Sequence, residues 1–156
     1  MTGRATGRQD LARRLSQLAR VMDAAVAERL HRLGYGDVRP GHLAVLLDLE
    51  RTGARSAELA RRAGMTRQSM GELVADLETL DYLERRPDPR DRRARLVLPT
   101  GRGLILIAHA RRAVVEVEAD AARRLGRERY VQLGLLLTEL TGPAEQETAS
   151  TAGRAT

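Results

Sequence analysis

Eleven residues near the middle of the chain, RRPDPRDRRAR at 85–95, hold six Arg and two Asp, and most of the chain's distinctive chemistry sits there. A guanidinium is a planar fork of N–H donors that matches phosphate oxygens and guanine edges. This stretch carries +4 of a formal net charge of +6, while residues 39–84 ahead of it are net −2. All 27 basic residues of the 156-residue chain are Arg, so part of the excess is a matter of overall composition. A charge run is often only a solvated face. Here it lies mid-chain, contains two Pro and is bounded by apolar segments, which points to an ordered, exposed loop. A second group of polar side chains precedes it. Arg67, Gln68, Gly71, Glu72 and Ala75 fall on the face of a predicted helix opposite Met70, Leu73, Val74 and Leu77. Arg pairs bidentately with guanine and Gln with adenine. A glycine inside a helix lets another backbone approach closely. Glu72 is open to three roles: accepting from cytosine, repelling phosphate to sharpen register, or an intrahelical contact.

Other chemistries find no support. There is no Cys, hence no disulfide, thiolate metal site or cysteine redox switch. No G-x-S-x-G elbow, P-loop or dinucleotide fingerprint occurs, and an enzyme is not expected. No pair among His31, His42 and His109 has the i, i+4 spacing of a helical chelate. A His42–His109 metal site would require the fold to bring them together, and ordinary surface or core histidines are the plainer reading. No metal or other cofactor is expected. No apolar run approaches the roughly 18 residues of a membrane span, and the N-terminus lacks a signal-like apolar region, so a soluble cytoplasmic protein is expected.

The elements that must position these residues are mostly helical. Leu11, Leu15, Leu18, Met22, Val26, Leu30 and Leu33 recur every three or four residues and predict a long first helix ending at Gly34. A second helix is predicted from Pro40 to Gly53. A third starts near Ser56 as N-cap and stops at Gly64, and a fourth starts after Thr66. Residues 82–85 and 95–98 read as two short strands flanking the Arg-rich loop. Thr100 then caps a long helix, and a last one follows Gly126. Two short helices around a Gly-containing turn suit a helix-turn-helix, but also an ordinary helical hairpin. A ribbon with an Arg-rich tip directly after the second helix favours a winged helix, whose tip can reach the minor groove.

The segment ARSAELARRAGMTRQSMGELVADLETLDYLERRPDPRDRRARLVLPTGRG resembles the MarR-type (multiple antibiotic resistance regulator) transcriptional regulators. The most specific features are DPRDRRAR at Asp88–Arg95 and the Thr-x-x-Gly start of the next helix at Thr100–Gly103, and the resemblance covers roughly residues 10–140. It implies a mainly α fold with a small β-wing, in which the N- and C-terminal helices form a dimerisation lobe. The implied function is a homodimeric repressor of a palindromic operator on double-stranded DNA, released by a small-molecule effector. Candidate DNA contacts are Ser56, Arg67, Gln68, Ser69, Gly71, Glu72, Arg90, Arg92 and Arg93. Asp76 is expected to pair with a wing Arg, and Asp91 to orient a neighbouring one. Two departures stand out. Asp81 occupies the usual Gly position, so the recognition helix is expected to lack its left-handed cap. Pro99 replaces the usual Leu and removes a strand donor.

The expected organisation is one domain over residues 10–141, with dimerisation helices at about 10–33 and 100–141 and a DNA-binding lobe at 39–99. Residues 1–9 and 142–156 are small, polar and aperiodic and are expected to be disordered. The effector crevice implied by the resemblance would be lined by Met22, Val26, His42, Leu43 and Leu46. A stacking pocket has only Tyr35, Tyr82 and Tyr130 to draw on; Tyr82 is read as wing-root packing and Tyr130 as dimer core. From a different class, a helical module whose basic loop binds an acidic protein or nucleic acid without sequence preference fits the same charge pattern.

Overall fold

The predicted stripe of the first helix forms a single helix, α1 (Thr6–Arg32), in the computed structural model, which describes residues 6–142. Residues 6–9, expected to be disordered, are helical; the rest of the two expected tails, 1–5 and 143–156, lies outside the described residues. The stripe divides along its length. Val26 and Leu30 are buried, while Leu11, Leu18 and Leu33 remain exposed. Tyr35 N–H bonds to Leu30 O at 3.0 Å, closing the end of α1.

The second helix is far shorter than periodicity predicts. A 3-10 turn, Pro40–His42, runs into a single turn of helix, α2 (Leu43–Leu46), and the chain then reverses through residues 47–53. Its leucines are apolar because they are core, with Leu43, Leu46 and Leu49 all buried, and not because a long helix repeats there. The Leu49 carbonyl instead accepts from Arg111 Nη2 at 3.2 Å. The reversal feeds an element with no sequence signal, the two-residue strand β1 (Ala54–Arg55).

Helices α3 (Ser56–Arg62) and α4 (Arg67–Thr79) follow, separated by a turn in which Gly64 has φ +62°. The N-cap of α3 is Arg55 rather than Ser56, which is the first helical residue. Strands β2 (Leu83–Asp88) and β3 (Asp91–Pro99) are longer than predicted and leave only Pro89-Arg90 as the tip. Most of the predicted Arg-rich loop is therefore ladder, with Arg85 opposite Val97 and Pro87 opposite Arg95. Pro87 is tolerated because the antiparallel sheet has the order β1-β3-β2, and β2 is an edge.

Helix α5 (Gly101–Leu125) starts where Thr100 Oγ1 accepts from Gly103 N–H at 3.0 Å and donates to Asp81 O at 2.8 Å. Gly103 has no room for a side chain, since a Cβ would lie 1.9 Å from Tyr82 O. That close approach gives the Thr-x-x-Gly signature a packing reason. Helix α6 (Arg127–Thr141) buries none of its residues. The chain divides into two compact units within α5, one up to Val117 and one from Glu118 on. The first contains the core, including Leu59, Met70, Val74, Leu77, Tyr82, Val97 and Leu106. Among the described residues no helix is long and apolar enough to cross a membrane.

Candidate nucleic-acid interface

Helix α4 is fixed by its cap and its buried face. Thr66 Oγ1 accepts from Ser69 N–H at 3.1 Å and donates to Ser69 Oγ at 2.9 Å, so the Ser69 hydroxyl is engaged in the cap. Met70, Val74 and Leu77 are fully buried, which leaves Arg67, Gln68, Glu72 and Ala75 exposed on the opposite face. Gln68 Nε2 donates to Glu72 Oε1 at 3.2 Å, so these two present a linked amide–carboxylate pair. A Cβ on Gly71 would meet no neighbour, so packing within the chain does not require glycine there. Ser56 is half-buried at the start of α3.

The end of α4 departs from expectation. Asp81 adopts φ +59°, Asp81 N–H bonds to Glu78 O at 3.0 Å and Tyr82 N–H to Leu77 O at 2.9 Å. This is a complete Schellman motif, so the left-handed cap is retained with Asp in the glycine position. Asp tolerates that conformation better than most residues because its side chain is short and polar. The cap delivers Tyr82 into the core. Its hydroxyl donates to Asp37 Oδ1 at 3.0 Å, and Arg102 stacks over its ring at 4.5 Å while donating to the same hydroxyl at 3.1 Å. Burial and the Asp37 carboxylate push the Tyr82 phenol up from its ordinary value.

The wing is held by residues that carry no strong sequence signal. Asp88, 5% exposed, accepts at Oδ2 from Arg55 Nε at 2.9 Å and Nη2 at 2.6 Å, and at Oδ1 from Arg90 N–H at 2.9 Å. The Arg90 amide, and then Arg55, hold this carboxyl below the ordinary aspartate value. Asp91 Oδ1 accepts from the Arg93 backbone N–H at 3.1 Å, and its carboxylate lies 3.6 Å from Arg55 Nη2. The signal available for Asp88 is the Asp-Pro pair at the tip, since Asp commonly bonds the backbone two residues on in such turns. For Arg55 no local signal exists, because the contact spans 33 positions.

Asp76 does not pair with the wing. Its carboxylate pairs with Arg39, ahead of the 3-10 turn, and lies 3.7 Å from His42 Nε2. The tie between α4 and the wing is Glu78 with Arg85 at 3.2 Å. Asp76 sits nearer the middle of the helix and so meets the turn packed beside it. Arg67, Arg90 and Arg93 are exposed and without an ion pair among the described residues, and Arg92 lies between Asp91 and Arg93 on β3. The unpaired guanidiniums of the interface are therefore on the outward face of α4 and at the wing.

Of the five residues expected to line an effector crevice, Val26, His42, Leu43 and Leu46 are buried in the core and Met22 packs against it. The open hollow on that side, about 650 Å³, is bounded by Arg20 and Asp23 of α1, by Pro40, Gly41 and Leu43, and by Met65 of the helix-turn-helix. Leu43 alone belongs to both sets. His42 and His109 have separate partners, with Tyr35 Oη 2.9 Å from His109 Nδ1. Among the described residues no three His, Asp or Glu side chains cluster as metal ligands would.

The MarR family's sequence pattern matches residues 36–94, from the loop before the 3-10 turn to the wing. Many solved structures share the fold. A MarR family regulator from Rhodococcus sp. RHA1 superposes with a TM-score of 0.72 at 22% identity, covering 91% of this chain and 99% of that one. A MarR family protein of Mycobacterium tuberculosis, solved with p-aminosalicylic acid, is 26% identical with a TM-score of 0.64 over 85% of this chain and 98% of its own. CouR from Rhodococcus jostii RHA1, bound to p-coumaroyl-CoA, is 23% identical with a TM-score of 0.70, over 91% and 98% of the two chains. No curated relative matches significantly. In element order the chain has the winged-helix fold of the MarR-type proteins, and residues 36–94, which run through the Asp88–Arg90 wing turn, carry that family's sequence pattern.

Proposed function

We propose that this chain is a homodimeric, sequence-specific DNA-binding regulator that represses from a palindromic operator and lets go when a small molecule binds. The observation that carries the reading is the set of unpaired guanidiniums. Arg67, Arg90 and Arg93 are exposed and, among the described residues, without an ion pair, on the two elements that a winged helix applies to a duplex. In this reading Arg67, Gln68 and Glu72 read base edges, and Gly71 admits the backbone close to the groove. Ser56 and Ser69 supply contacts at the two helix starts, and Arg90, Arg92 and Arg93 enter the adjacent minor groove. Two copies are needed for a palindrome. Support for dimerisation comes from α1 and α6, which expose Leu11, Leu18, Val131, Leu135, Leu136 and Leu140. Support for an effector comes from the ligands held by similar folds and from the open hollow between α1 and the helix-turn-helix. The protein acts by binding, in the cytoplasm, and needs no cofactor.

Selection of bound fragments from a random duplex pool tests this reading. The expected product is an inverted repeat with half-site centres about one helical turn apart. Its affinity should fall with salt at a log–log slope of about −0.9 per phosphate neutralised. Recovery of unenriched sequence would instead favour a module that holds nucleic acid or acidic protein by charge alone.

A further inference from the structure

The outward stripe of α4 continues past its base-reading residues. Gln68, Glu72 and Asp76 are spaced at four residues and lie one above another. Glu72 and Asp76 are like charges on that stripe, and Arg39 neutralises the second. Arg39 is not on α4. It precedes the 3-10 turn Pro40–His42, and its backbone N–H donates to His42 Nδ1 at 3.1 Å. The His42 ring is 1% exposed. With Nδ1 accepting, the neutral ring carries its proton on Nε2, which faces Asp76 Oδ2 at 3.7 Å. The same turn is packed on α4 by shape, because a Cβ on Gly41 would touch Leu73 at 3.4 Å. Its other side, Pro40 and Gly41, forms a wall of the 650 Å³ hollow.

We propose that Arg39, seated on His42 and strapped to Asp76, fixes the pose of the recognition helix, and that the strap couples the hollow's wall and the protonation of His42 to DNA affinity. Asp76 is thus a positioning residue, and this inference rests on the reading of α4 as the base-reading helix. A ligand that displaces Pro40–Gly41 pulls on Arg39 and through it on Asp76. Acid acts on the same element. The charged groups around His42 are Arg39 and Asp76, with Asp37 at longer range. Burial and Arg39 lower its pKa from 6.5, opposed in part by the two carboxylates. A proton added at Nδ1 removes the acceptor for Arg39 N–H and creates an imidazolium that competes with Arg39 for Asp76. The strap is complete at neutral pH and loosens as pH falls below 6.5 toward the lower folded value.

The test uses the full chain, the selected operator and a random duplex. Asp76→Asn removes a negative charge beside the DNA, so charge alone predicts tighter binding to both. The strap predicts the opposite on the operator, a loss of about threefold to fivefold, the scale of one partly exposed ion pair. His42→Asn keeps an acceptor near the Nδ1 position but cannot titrate. Whatever its affinity at neutral pH, it should lack the native loss of operator affinity as pH falls below 6.5. In the DNA-free protein, an NMR titration should show the His42 pKa falling further in Asp76→Asn and rising in Arg39→Gln. Unchanged or tighter operator binding by Asp76→Asn, or an acid loss that persists in His42→Asn, overturns the coupling. A His42 pKa indifferent to both neighbours overturns the strap itself. A chain that shows these NMR shifts but no duplex preference refutes the DNA-reading function and leaves the strap standing.

Discussion

Arg55 and Asp88 are joined by two hydrogen bonds onto a single carboxylate oxygen, at 2.9 and 2.6 Å, across the gap between β1 and the end of β2. The pair ties the strand that leads into α3 to the turn that aims the wing, so α3 and the wing share one anchor. Asp88 is held below its ordinary pKa of 3.8 by the Arg90 amide and Arg55. A depressed carboxyl contributes its stability above the unfolded value and loses it as pH falls through the folded one. Asp88→Asn should therefore be less stable than the native protein by a constant amount at neutral pH. That gap should close as pH falls below 3.8, as read by denaturant unfolding of the pair. Faster amide exchange of Arg90 in the variant is the local counterpart, and native-like exchange there would show that the turn does not depend on Asp88.

Asp81 occupies a left-handed position, φ +59°, without glycine's freedom. A non-glycine residue there costs up to about 1–2 kcal/mol, reduced for Asp, against glycine's greater loss of backbone entropy. Asp81→Gly should raise stability by about 0.5 kcal/mol, a shift in Tm of roughly 1–2 °C. The Schellman bonds and the Thr100 bond to the residue 81 carbonyl use only main-chain atoms at that position, so both survive. A fall in Tm would mean that the Asp81 side chain contributes more than its backbone costs.

Thr66, Thr100 and the stripe of α4 are legible in the sequence because each is a local device, a cap or a period within one element. The wing is legible as a charge run between apolar segments. Its actual form, strands meeting at a two-residue tip, is not, because Arg at exposed ladder positions has no strand signature. The length of α2 is hidden for a related reason. Buried leucines look alike whether they line a helix or fill a core from a turn. Asp76 and Asp88 show the limit most clearly. Both are visible as acids among arginines, yet the partner of each lies 37 and 33 positions away along the chain. Residue type alone hides the cap at Asp81, since φ above zero is rare but not closed to Asp.

Arg67 lies at the first turn of α4, exposed and unpaired. A bidentate contact to guanine predicts that Arg67→Ala costs about 1–3 kcal/mol on the operator and relaxes preference at one base pair. Fluorescence anisotropy on operator variants reads both. An equal loss on random duplex would make Arg67 a phosphate contact only.

The wing arginines separate grip from readout. Replacing Arg90, Arg92 and Arg93 by Ala leaves the Asp88 anchor in place, since Asp88 bonds the Arg90 backbone and not its side chain. The folded dimer should persist while duplex affinity collapses. The salt slope should shallow by about 0.9 for each phosphate that is no longer neutralised. Affinity unchanged at physiological salt would remove the wing from the interface.

Helix α6 buries none of its residues but exposes Val131 at 54%, Leu135 at 66%, Leu136 at 50% and Leu140 at 71%. Each such side chain gains roughly 1.5–3 kcal/mol when fully covered, and in the proposed dimer a second copy of the chain would supply the cover and bring two wings to one duplex. Sedimentation at micromolar concentration should give twice the chain mass. Leu136→Glu combined with Leu140→Glu places charge on that face and should yield a monomer with unchanged helical signal. Operator affinity should then fall by orders of magnitude, because the second half-site is no longer reached at high effective concentration. A native chain that sediments as a monomer, or a monomeric variant that keeps full operator affinity, would show that one copy reads DNA alone.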